Sequence, residues 1–183
     1  WAPDQPSLTV ASKGIAAAQI DLQTANTDLH SGGYGAAVPN AVEALARLVT
    51  TLHDHHGRVA VSGFYDPVRD LTAKERAEIE AIPFSEDEFQ RGLGLKALWG
   101  DPEYTALERR WARPTIDLNG IWGGFTGEGL KTVTPKEAHA KITCRLVPDQ
   151  EPGAILDAID AHLQANCPPG ATVTLTRQSG SAR

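Results

Sequence analysis

Six histidines, two cysteines and 23 carboxylates are the residues of this 183-residue chain that could do chemistry, and their spacing limits what that chemistry is. His30 and Ser31 are neighbours within TDLHSGGYGAAVPN, residues 27–40. A Ser-His dyad needs a shared spatial geometry and an oxyanion hole, which sequence neighbours seldom supply, so a serine hydrolase is disfavoured. Gly32, Gly33 and Gly35 precede a helix, where free N–H groups and the helix dipole could hold an anion. Their spacing matches neither GxGxxG nor GxxxxGKS/T, and the simpler expectation is a loop that needs positive φ. His53, Asp54, His55 and His56 form the densest cluster of possible metal ligands. Consecutive helical residues point in different directions, and cations are favoured at a helix C-terminus, so these histidines are expected to cap a helix. No HExxH or EF-hand spacing occurs, and the chain taken alone is expected to hold no metal. Arg145 lies on the polar face of a strand; a solvated surface arginine and a fork for a carboxylate are both open.

The elements that must position these residues follow from periodicity. Residues 14–23 end in alternation, with Ala16, Ala18, Ile20 and Leu22 on one face, which predicts a half-buried strand. Pro39 suits a first helical turn, and Val42, Leu45, Leu48, Val49 and Leu52 recur at helical spacing up to the histidines and Gly57. Ile116 and Leu118 alternate with polar residues, and AHAKITCRLV sets Ala138, Ala140, Ile142, Cys144 and Leu146 against His139, Lys141, Thr143 and Arg145. Pro152 opens a helix with Ile155, Leu156, Ile159 and Leu163 on its apolar stripe, and a strand from Ala171 to Arg177 closes the chain. The order β-α-β-β-α-β predicts an α+β ferredoxin-like sandwich, a four-stranded antiparallel sheet with both helices on one face. Its core covers about residues 8–56 and 115–177 of a single domain spanning 1–183. Residues 57–114 read as a helical insertion: Thr72 with Glu75 and Ser85 with Glu88 have capping-box spacing, and Asp101-Pro102 would start a third short helix running through Arg110.

A formal net charge of −6 without a lysine- or arginine-rich cluster disfavours nucleic acid as a partner. No apolar run approaches the ~20 residues that span a bilayer, so no membrane partner is expected. Cys144 and Cys167 form neither a disulfide framework nor a cysteine-rich zinc site, and the expected location is the reducing cytoplasm. A start at Trp1, without methionine, and a stop just past a strand lead us to expect a piece of a larger protein.

Five stretches carry a resemblance: PSLTVASKG, TDLHSGGYGAAVPNAVEALARL, GRVAVSGFYDPV, LERRWARPTIDLNGIWGG and GLKTVTPKEAHAKITCRLVPDQEP. In this order they resemble the lid, or dimerisation domain, of the M20 family of zinc metallopeptidases, and most of all its dipeptidase branch with the carnosinase-like enzymes. The resemblance implies a lid inserted in a catalytic domain that holds two zinc ions, whose ligand motifs are not in this chain, so the chain alone is expected to be inactive. It implies a homodimer through the lid, with His30 as a catalytic residue reaching the partner's site to stabilise an oxyanion. Thr132 would bind substrate across the dimer, and Arg145 would bind the C-terminal carboxylate of a peptide substrate. Thr134 stands where an aliphatic residue is usual, and Ala36 and Ala37 where glycine and alanine are common. Two other readings are a free-standing ferredoxin-like ligand-binding or regulatory module, and a structural dimerisation domain whose peptidase half has lost its ligands.

Overall fold

The structure, a computed structural model, describes residues 11–178. In chain order the elements are β1 (Gly14–Gln23), β2 (Leu29–His30), α1 (Ser31–Tyr34), α2 (Ala41–Thr50), α3 (Ala73–Glu80), α4 (Glu86–Gly92), α5 (Ala106–Ala112), β3 (Thr115–Gly123), β4 (Val133–Thr134), β5 (Glu137–Leu146), α6 (Pro152–Asn166) and β6 (Thr172–Gln178). Four strands form one antiparallel sheet in the order β3-β5-β1-β6, and β2 pairs with β4 in a two-stranded ribbon. The alternation in β1 and β5 is realised residue for residue. Ala16, Ala18, Ile20 and Leu22 meet Cys144, Ile142, Ala140 and Ala138 across the pair, and all eight are buried. Burying that whole face needs a second layer, which the apolar stripes of α2 (Leu45, Leu48) and α6 (Ile155, Ile159, Leu163) supply. The opposite face, with Gln19, Asp21, His139, Lys141 and Arg145, carries no helix from this core.

Several local expectations are corrected. Asn40, and not Pro39, sets the start of α2: its Oδ1 accepts from the N–H groups of Val42 at 3.0 Å and Glu43 at 3.3 Å. The helix ends at Thr50, so His53, His55 and His56 lie beyond it and cap nothing. They sit in a turn closed by Asp54, whose Oδ1 accepts from the N–H groups of His56 and Arg58, with Gly57 at φ +81°. The box of Thr72 and Glu75 forms in full, whereas Ser85 alone caps α4. The third helix starts at Ala106 because Thr105 and Glu108 form a second full box, while Asp101 only closes a turn on Glu103. Within 57–114, Val59, Val61 and Phe64 return to the main core, and Gln150 Nε2 fastens that return by donating to Phe64 O at 2.8 Å. The expected core residues 8–10, and most of the PSLTVASKG stretch, lie outside the described residues.

Candidate functional site

His30 ends β2 and serves as the N-cap of the single turn α1; its Nδ1 accepts from Gly32 N–H at 2.9 Å. A ring nitrogen that accepts from a backbone N–H carries no proton, so in the neutral imidazole the proton is on Nε2. That nitrogen is exposed and lies 3.4 Å from Thr132 Oγ1. Thr132 is brought there by the ribbon, where His30 pairs with Val133 and Ser31 N–H donates to Thr132 O at 3.1 Å. Asp28 Oδ1 accepts from Lys136 N–H at 3.0 Å and Thr24 N–H donates to Lys136 O at 2.8 Å, which ties the ribbon to the main sheet. The result is a directed N–H donor beside a hydroxyl, on the molecular surface.

The glycine-rich segment works differently from the positive-φ loop expected. None of Gly32, Gly33 and Gly35 is left-handed; Ala36 takes that conformation at φ 64°. Gly32 is required by close approach, because a Cβ there would stand 2.7 Å from His30 Cε1, and one on Gly35 would stand 2.5 Å from Ser31 O. The N–H groups of Gly32 and Gly35 are already bonded to His30 Nδ1 and Ser31 O, so they are not free for an anion.

Arg145 is elsewhere. It pairs with Ile15 on β1 and Thr115 on β3, at the end of β5 opposite Glu137, where the ribbon joins. The eight steps of the strand from Glu137 to Arg145 extend about 26 Å at roughly 3.3 Å per residue. Its guanidinium is exposed and makes no hydrogen bond or ion pair with the described residues. Beside it, Lys13 Nζ donates to Arg109 O at 3.2 Å and to Arg113 O, holding the C-terminal end of α5 against the start of β1. Burial, with the like charges of Arg145 and Arg113 and against the pull of Asp117, lowers the Lys13 ammonium to about 8. Nothing in the composition marked Lys13 or Asp28 as important; both act through partners about 100 residues away in sequence.

Among the described residues no three His, Cys, Asp or Glu side chains converge to hold a metal ion, and no helix is long and apolar enough to cross a membrane. The candidate residues divide into a histidine–threonine pair at one end of the sheet and an arginine at the other, with most of the length of β5 between them.

The chain belongs to the M20 peptidase dimerisation domain family, whose model, described as a peptidase dimerisation domain, matches residues 10–171. It is 34% identical over 159 residues to a Cys-Gly metallodipeptidase of Candida albicans, covering 87% of this chain and 33% of that protein. It is 28% identical over 160 residues to the human Beta-Ala-His dipeptidase, covering 87% of this chain and 32% of that protein. A solved M20 family metallo-carboxypeptidase of Sulfolobus solfataricus superposes with a TM-score of 0.76 at 34% identity, over 90% of this chain and 37% of that one. The fold is also that of human carnosine dipeptidase 1, at a TM-score of 0.82 and 24% identity over 96% of this chain and 39% of that one. The chain thus spans about a third of the length of the curated relatives it matches.

Proposed function

We propose that this chain is the dimerisation lid of a cytoplasmic M20-type metallodipeptidase that hydrolyses dipeptides or related amides, and that it acts as a homodimer. The separation of His30 and Thr132 from Arg145 along β5 carries this reading, because a two-fold pair turns that separation into function. In such a pair each active site receives its own Arg145 and the partner's His30 and Thr132. The sheet order β3-β5-β1-β6, with α2 and α6 on one face, supports a ferredoxin-like description of the lid.

The relatives are named metallodipeptidases, and in this reading a catalytic domain of the same polypeptide holds two zinc ions. When bound, they polarise the scissile carbonyl. His30 donates from Nε2–H to the oxygen on which negative charge develops, a contact that strengthens in the transition state. Gly32 N–H, by occupying Nδ1, keeps the proton on the nitrogen that faces outward. Thr132 lies beside that donor and orients the substrate, and the Arg145 fork takes the substrate's terminal carboxylate and fixes its register. The lid by itself hydrolyses nothing.

Exposed apolar residues support the second copy. Leu118 (46% exposed) and Ile121 (44%) lie on the edge strand β3, and Phe125 and Leu130 follow in the loop that leads to Thr132. An unpaired edge with an apolar margin is what a symmetric partner buries. The test is subunit complementation in the full-length enzyme. A His30→Ala protomer and a protomer with a disabled metal ligand are each inactive. Mixed and allowed to reassort, they should recover about a quarter of wild-type activity, since half the dimers are mixed and each has one complete site. No recovery in demonstrably mixed dimers would refute delivery of His30 in trans.

A further inference from the structure

At the Arg145 end the helical segment builds a wall beside the open face of the sheet. The groove between them is lined by Lys13, Trp99, Arg109, Arg110, Thr115 and Arg145. Every charged residue lining it is a cation, in a chain whose net charge is −6. The carbonyls at the C-terminal end of α5 would repel an anion, and Lys13 covers two of them. Arg109 is committed to the wall: Nε donates to Tyr104 O at 2.7 Å and an Nη donates to Trp99 O at 2.9 Å. Trp99 is 73% exposed, and one side of its ring lies so close to Gly57 that a Cβ there would stand 2.5 Å from the indole nitrogen. Arg110 is exposed and rests on the Phe89 ring, 5.0 Å from its centroid. Its guanidinium and that of Arg145 have no carboxylate partner among the described residues.

We propose that this groove receives the side chain of the substrate's C-terminal residue and selects an acidic one. Arg145 takes the terminal carboxylate, Arg110 takes the side-chain carboxylate, and the exposed face of Trp99 packs against the methylenes between them. The assignment rests on the proposed role of Arg145. Cations already placed around the groove lower the ordering cost of binding, and a groove without acids favours the doubly anionic end of a dipeptide over a neutral one.

The experiment measures kcat/KM of the full-length enzyme on dipeptides with one N-terminal residue and a C-terminal Ala, Glu or Lys. The wild type should prefer Glu. Arg110→Gln should lower the Glu-to-Ala ratio by about 10- to 100-fold, the range for a lost charge-assisted contact, chiefly through KM. Arg110→Glu should move the preference toward Lys, a gain that a misfolded variant cannot give. A ratio that moves less than about twofold in both variants overturns the proposal. Arg145→Ala separates the two readings. If it lowers kcat/KM for all three substrates while the Arg110 variants leave the ratio unmoved, only the acidic pocket fails. If Arg145→Ala changes nothing, the carboxylate role of Arg145 fails.

Discussion

Gly32→Ala tests the His30 geometry without touching an atom of the imidazole. In the structure the new Cβ would stand 2.7 Å from His30 Cε1 and 3.0 Å from Nδ1. Carbon atoms in favourable contact are about 3.5–4.0 Å apart, so the ring must move by roughly 1 Å. That movement breaks the 2.9 Å bond from Gly32 N–H that fixes both the ring plane and its tautomer. A misplacement of about 1 Å in a positioned group costs on the order of 10²-fold in rate, against about 10²- to 10³-fold for complete loss of an oxyanion donor. The expectation for the full-length enzyme is therefore a fall in kcat of about 10- to 100-fold, smaller than that of His30→Ala. Stability should barely change. Gly32 has negative φ, so alanine gains about 0.4–1 kcal/mol through the unfolded chain, offset by about 0.5–1.5 kcal/mol for the lost hydrogen bond. Steady-state kinetics beside a thermal melt read both. Wild-type kcat in Gly32→Ala, in an enzyme that His30→Ala disables, would show that the ring's placement is not set by this contact.

Two further outcomes follow from the same geometry. The folded Lys13 ammonium, lowered to about 8 from 10.5, binds fewer protons than the unfolded lysine between those values, so its contribution makes stability rise with pH across that window. The difference in unfolding free energy between wild type and Lys13→Gln should climb from pH 8 to 10.5; a flat difference in denaturant titrations would contradict the buried-charge description. Ile121→Lys puts a charge on the exposed apolar margin of β3. It should shift the full-length enzyme from dimer to monomer in light scattering and lower kcat with it, and an active monomer would refute the composite site.

The fold was legible where a residue's environment depends on its own period. β1, β5 and α6 alternate or recur so regularly that burial of Ala16 to Leu22, of Ala138 to Leu146, and of Ile155, Leu156, Ile159 and Leu163 follows from the pattern. Helix starts failed where two capping signals competed. Pro39 stood beside Asn40, and Asp101 four residues before Thr105; in both places the side chain able to accept from the helix's free N–H groups won. The contacts of Lys13, Trp99 and Gly32 were illegible because they depend on atoms brought close by folding. Gly32 in particular reads as a turn residue, and only the imidazole packed against it reveals the steric reason.

The two ends of the domain differ in how they are built, and the difference matches the roles proposed for them. His30 sits on a two-residue ribbon held by a few backbone bonds, one side-chain cap and the strut from Asp28, so its direction is set by short-range contacts that a single atom can upset. Arg145 rises from the middle strands of the sheet, paired on both sides, with buried Cys144 and Leu146 flanking it, so its base moves only if the core moves. In the proposed mechanism a donor that meets developing charge in another subunit depends on fine orientation, whereas a fork that grips a carboxylate depends on a fixed distance from the chemistry. Small substitutions around α1 should therefore act on kcat, and those around the start of β1 and the end of β5 on KM. A reversal of that partition would mean that the roles of the two ends are exchanged.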